Sequence, residues 1–94
     1  MGYRIELGEV EASLAALEQV EEGVVVFKHS SPQEIGALVV PAGGATPDQI
    51  QTAMKGRLPN YMVPTTIKVL DGEFPRTPNG KYDRKAITAQ VFPE

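Results

Sequence analysis

The sequence predicts an α+β domain: a small three-stranded sheet covered by two or three helices, followed by a C-terminal lysine-bearing turn. Three observations predict it. The runs Val24-Val25-Val26-Phe27 and Ala37-Leu38-Val39-Val40 are continuously apolar rather than alternating, as in strands covered on both faces. Apolar residues recur at helical spacing at Val10, Leu14 and Leu17, and again at Ile50, Met54 and Leu58. Proline and glycine punctuate the gaps, at Ser31-Pro32, Pro41, Gly43-Gly44, Pro59 and Asn79-Gly80. With 94 residues the chain reads as one small domain with a modest core.

The elements follow in order. Glu9 to Leu17 reads as a helix with Glu9 and Glu11 in its first turn, where the helix dipole favours negative charge. Gly23 interrupts, and Val24 to Phe27 reads as a buried strand. Ser30-Ser31-Pro32 is a turn, and Ile35 to Val40 a second strand, antiparallel to the first because the connection is short. Thr46-Pro47-Asp48-Gln49 is a helix start: Thr46 as N-cap, Pro47 at the first helical position, Gln49 closing a capping box. Pro59 ends that helix, and Leu58 to Pro64, with its two prolines, reads as a stiff extended connector pinned by Tyr61 and Met62. Thr66 to Leu70 reads as the third strand and Asp71-Gly72 as a turn. Asn79-Gly80 predicts a tight turn with positive φ, and Asp83 caps a last helix over Arg84 to Ala89.

Composition excludes several chemistries. There is no cysteine, hence no disulfide, thiolate or zinc-finger chemistry. His29 is the only histidine, so the chain holds no histidine-based triad. The net charge of −3 argues against nucleic acid as a partner. No apolar run approaches the roughly 20 residues that cross a bilayer, and the N-terminus is not a signal peptide, so no membrane partner is expected and a cytoplasmic location is. Neither G-x-x-x-x-G-K-S/T nor G-x-G-x-x-G occurs, so a complete nucleotide site is not encoded.

Charge is uneven. Acids dominate the first 22 residues, whereas Arg76, Lys81, Arg84 and Lys85 face one acid, Asp83. Within that basic stretch Lys81 is the candidate for chemistry. It follows Asn79-Gly80 on a protruding turn, glycine permits close backbone approach to a ligand, and an ammonium suits phosphate or carboxylate. Arg84 and Lys85 add to the local positive field. On these residues alone Asn-Gly-Lys is a weak motif, and a solvated lysine after a turn is its plainest reading. Arg4 reads as a partner of Glu6 or a neighbouring carboxylate, and His29 as a surface residue. Glu6, Glu9 and Glu11 read as a solvated helix start rather than a metal site, and Phe27 and Phe74 as core.

Three ordered segments carry a resemblance. Gly2-Tyr3-Arg4-Ile5-Glu6-Leu7-Gly8-Glu9-Val10-Glu11, Leu58-Pro59-Asn60-Tyr61-Met62-Val63-Pro64 and Pro78-Asn79-Gly80-Lys81-Tyr82-Asp83-Arg84-Lys85 resemble the GYRIELGEIE, LPxYMxP and NGKxDR motifs of adenylation domains of nonribosomal peptide synthetases. The set spans essentially the whole chain. It implies the small C-terminal lid subdomain of an adenylate-forming enzyme, in the superfamily of acyl-CoA synthetases and luciferases, without the large N-terminal domain or the hinge. Met1 then marks either a cut or the start of a standalone subdomain.

The resemblance also implies a function. Such enzymes join a carboxylic acid, here an amino acid, to ATP and pass the acyl group to the phosphopantetheine thiol of a carrier protein. The lid pivots between two poses, one for each half-reaction. By motif position Lys81 is the adenylation lysine, with Asn79 and Gly80 beside it facing substrate, and Gly2, Tyr3 and Arg4 face the site during thiolation. ATP and Mg2+ are held mainly by the large domain, and no metal or cofactor is bound by this chain alone, which is expected to be inactive in isolation. A second reading keeps the fold but makes the chain a standalone interaction module that docks a carrier protein or complements a separate adenylation core.

Overall fold

The structure, a computed structural model, describes residues 6–93. Its elements are α1 (Leu7–Ala15), β1 (Val20–Lys28), β2 (Glu34–Pro41), α2 (Pro47–Lys55), a single 3-10 turn (Asn60–Met62), β3 (Thr66–Val69) and α3 (Arg84–Val91). The sheet order is β1-β2-β3. β1 and β2 are antiparallel, with Val24 opposite Leu38 and Lys28 opposite Glu34. β2 and β3 are parallel, Gly36 opposite Thr66 and Val39 opposite Val69, with α2 in the crossover.

The continuously apolar strands are explained by three layers. Val25, Ala37 and Val39 join Val10, Leu14, Ile50 and Met54 in one core, beneath α1 and α2. Val24, Val26 and Leu38 point the other way and pack with Phe74, Ile87 and Val91 beneath α3. Successive side chains thus feed opposite cores, as a sheet covered on both faces requires. Phe27 lies at the edge of the first core and Phe74 within the second, as expected.

The helix starts are local in origin. The Thr46 hydroxyl accepts from the Gln49 N–H at 3.2 Å, and the Thr46 N–H donates to Gln49 Oε1 at 3.0 Å, completing the capping box ahead of α2. Asp83 accepts from the Ala86 N–H at 3.1 Å and caps α3.

Four elements differ from the sequence reading. α1 starts at Leu7, so Glu11 falls in its second turn rather than its first. β1 starts at Val20 and runs through Gly23. A Cβ at Gly23 would lie 2.6 Å from Leu14 Cδ2, so the glycine is where α1 presses on the sheet, not where the strand breaks. The segment after Pro59 is not extended. The Met62 N–H donates to the Pro59 carbonyl and the Val63 N–H to that of Asn60, closing a 3-10 turn. Proline lacks the N–H that a first helical turn leaves unpaired, so Pro59 suits the start of this turn; α2 has already ended at Lys55, with Gly56 as its C-cap, and not at Pro59 as expected. Met62 is buried and anchors the connector in the core, whereas Tyr61 is 41% exposed.

A register shift between Val20 and Glu22 also has consequences. One extra residue reverses the alternation. Val20 therefore joins the core under α1 and α2, while Glu22 shares the α3 side with Val24.

Candidate functional site

Lys81 is exposed at the end of a short hairpin that leads into α3. Arg76 pairs with Tyr82 across it, and the Asp83 N–H donates to the Pro75 carbonyl at 2.9 Å. Inside the hairpin the Gly80 N–H donates to the Thr77 carbonyl at 2.8 Å, and the Thr77 N–H to the Lys81 carbonyl at 2.8 Å. Gly80 has φ 86°, and among the described residues no non-glycine residue has positive φ. The hairpin is therefore a turn with Pro78 and Asn79 at its centre, followed by a left-handed glycine, rather than a two-residue Asn-Gly turn with both residues left-handed. Pro78 suits the first central position because its φ is already set. Asn79, Gly80 and Lys81 are all exposed.

The four cations of this stretch have different surroundings. Arg76 donates from Nη1 to the Gly80 carbonyl at 2.9 Å, lies 3.5 Å from Glu22 through Nη2, and sits over the Tyr82 ring at 4.6 Å. The Tyr82 hydroxyl donates to Glu22, and its ring meets Phe74 edge-on. The hydrogen bond to Glu22, with burial and the Glu22 charge, holds the Tyr82 phenol above its ordinary pKa.

Arg84 is engaged elsewhere. Its Nη1 and Nη2 donate to the two Glu11 carboxylate oxygens at 3.1 and 3.0 Å, and Nη1 also donates to the Val25 carbonyl. The Val25 N–H donates to Glu11 at 2.7 Å. Burial pushes the Glu11 carboxyl up, but the bonds from Arg84 and Val25 and the Arg84 charge outweigh it and hold the group below its ordinary value. Glu11 is thus not a solvated helix-start acid, and Arg84 does not contribute a free charge to the Lys81 turn. The pair occupies backbone groups on the open edge of β1 and clamps α1 and α3 to it.

Among the described residues the Lys81 ammonium has no ion-pair or hydrogen-bond partner, and neither does that of Lys85. A groove of about 720 Å³ runs between the start of α1 and α3, past Phe27, His29, Lys85 and Phe92, but Lys81 does not line it. His29 is exposed at the end of β1, edge-on to Phe27. Gly2, Tyr3 and Arg4 lie outside the described residues. Glu22, Arg76 and Tyr82 escaped the sequence reading as a group, since Glu22 and Tyr82 are 60 positions apart. The available signal was an arginine and a tyrosine flanking the same turn.

Comparison with known proteins identifies the fold and the family. The family model described as the AMP-binding enzyme C-terminal domain matches residues 9–81. A dimodular nonribosomal peptide synthase of Bacillus subtilis is 41% identical over 93 residues, covering 97% of this chain and 4% of that protein. Tyrocidine synthase 2 of Brevibacillus parabrevis is 42% identical over 88 residues, covering 92% of this chain and 2% of that protein. The chain therefore spans only a few per cent of these relatives. Among solved structures, the amide bond synthetase McbA from Marinactinospora thermotolerans superimposes with a TM-score of 0.80 at 26% identity, over 94% of this chain and 18% of that one. The o-succinylbenzoate CoA synthetase of Bacillus subtilis in complex with its acyl-adenylate intermediate gives 0.78 at 26% identity, over 92% of this chain and 18% of that one. From Glu9 to Lys81 the sequence matches the family model, and the fold is shared with adenylate-forming enzymes: the chain belongs to the AMP-binding enzyme C-terminal domain family.

Proposed function

We propose that this domain is the mobile lid of an ATP-dependent amino-acid-activating enzyme and that Lys81 is its adenylation cation. The observation that carries the reading is the state of Lys81. Its ammonium stands exposed at the tip of a closed hairpin without a carboxylate partner among the described residues, while Arg76 and Arg84 nearby are both engaged within the domain. A cation that must meet a ligand on another domain has to be left unpaired by its own.

The chemistry explains why a cation is needed. In adenylation a carboxylate oxygen bonds to the α-phosphorus of ATP as the bond to the leaving pyrophosphate breaks. Two anions must approach, and charge develops on the phosphoryl oxygens. An ammonium donating to both lowers the repulsion and stabilises the transition state. Carried on a lid, the lysine withdraws once the adenylate exists, leaving room for the phosphopantetheine thiol of a carrier protein. The partners are a large N-terminal adenylation domain, which supplies the ATP and amino-acid pockets, and the carrier protein. The large peptide synthases of which this chain covers a small part support that setting. Magnesium neutralises phosphate charge when bound with ATP. No group of three or more His, Asp or Glu side chains among the described residues could hold a metal ion, and we place its ligands on the large domain. On this reading the 94-residue chain alone activates nothing. Gly2, Tyr3 and Arg4 keep the thiolation-facing role that their motif implies.

In the complete adenylating enzyme that carries this domain, Lys81→Ala should slow ATP–pyrophosphate exchange by about 10²–10³. It should leave thiolation from a supplied aminoacyl-adenylate near the unmodified rate. Equal loss of both half-reactions would overturn the reading.

A further inference from the structure

We propose that Glu22, Arg76 and Tyr82 form a brace that fixes the position of Lys81, making them positioning residues for adenylation. The proposal rests on the reading of Lys81 above. Arg76 reaches in two directions at once: Nη1 holds the Gly80 carbonyl, the group immediately before the Lys81 nitrogen, and Nη2 faces Glu22 on β1. Tyr82, immediately after Lys81, puts its ring beneath the Arg76 guanidinium and its hydroxyl on the same Glu22 carboxylate. The Gly80 carbonyl before Lys81, through Arg76, and the Tyr82 side chain after it are therefore both linked to Glu22 on the sheet. Regular alternation with Val24 and Val26 puts that carboxylate on the α3 side, where the hairpin lies. A planar guanidinium can bridge a carbonyl and a carboxylate while stacking on a ring, which an ammonium cannot.

The arrangement is suited to placement rather than to holding the fold together. The Arg76 and Glu22 side chains are 48% and 41% exposed, and ion pairs at such exposure add little to global stability. Lysine is a long flexible side chain whose reach is only as well defined as the backbone that carries it. Small misplacements of a reacting group are costly, on the order of 10²-fold for about 1 Å.

The test uses the complete adenylating enzyme with Arg76→Met, which keeps the aliphatic stem, and Tyr82→Phe, which keeps the ring and loses only the tie to Glu22. The expected result for Arg76→Met is a kcat for pyrophosphate exchange about 10-fold or more lower, with KM for ATP little changed and thiolation from supplied adenylate unaffected. Amide exchange across residues 76–82 should quicken while the melting temperature hardly moves. Tyr82→Phe should shift the same quantities in the same direction by less. If Lys81→Ala abolishes exchange activity but both brace variants retain full kcat, the brace is wrong and the lysine reading stands. If Lys81→Ala is harmless, the lysine reading falls and takes the brace with it. Parallel loss of both half-reactions in Arg76→Met and Tyr82→Phe would mark the cluster as merely structural and also overturn the proposal.

Discussion

Arg76, Lys81 and Arg84 share one short stretch and one charge, yet they meet three different surroundings. Arg84 shows how burial and hydrogen bonding decide the matter. Its partner Glu11 is 73 positions away, and no local pattern in the sequence links them. What the sequence makes legible is charge; which charges cancel depends on which helices share a strand edge. Because the folded state holds the Glu11 carboxyl below its ordinary value, its stabilisation is present above that value and is lost as pH falls through the lowered one. Arg84 is roughly half exposed, so the contribution is screened. Glu11→Gln should therefore cost about 1 kcal/mol of stability at pH 7, and the difference from the unmodified chain should shrink toward zero in acid. Urea unfolding at pH 7 and near pH 3 checks this; an equal deficit at both values would show that the carboxylate charge is not what matters.

At the level of elements, legibility follows the range of the interactions that define each one. The capping box of α2 was readable because Thr46 and Gln49 are three residues apart and need nothing else. The cap of α3 by Asp83 is equally local. The start of β1 was not readable, because Gly23 carries a break signal that tertiary packing overrides: Leu14 occupies the space a side chain would take. Nor did anything local announce the bulge that sends Val20 and Glu22 to opposite faces. The turn after Pro59 is illegible for a different reason: a proline is equally compatible with the end of a helix and with the start of one, and here it only starts a turn. Gly23→Ala would set a methyl 2.6 Å from Leu14 Cδ2, so this fully buried side chain must shift within the packed core. That overpacking should destabilise the domain by about 1–3 kcal/mol, read as a lowered urea midpoint. An unchanged midpoint would mean that α1 can shift away from the sheet at no cost.

For the whole molecule, three layers divide the work. The first core, under α1 and α2, contains most of the buried apolar side chains and fixes the sheet. The second, under α3, is smaller and takes in Phe74 and Tyr82, the residues on either side of the hairpin. The lysine turn is thus fastened at its base to a packed surface while its tip stays in solvent. Both covered strands were legible as continuous apolar runs, and so was the protruding Asn-Gly-Lys turn. Its fastening was not, because Glu22 reaches it only through the folded sheet. The domain presents an exposed cation on a hairpin fastened to the sheet; on the proposed function, the anions that this cation would meet lie in a pocket on another domain.

The proposed meeting is open to direct observation. In a crystal of the complete enzyme with a non-hydrolysable aminoacyl-adenylate analogue, captured in the adenylation pose, Lys81 Nζ should lie within charge-assisted hydrogen-bond distance, about 2.7–2.9 Å, of the α-phosphoryl or acyl oxygen. An occupied adenylate site in that pose, with the Lys81 ammonium turned to solvent or held by a carboxylate of the large domain, would contradict the assignment.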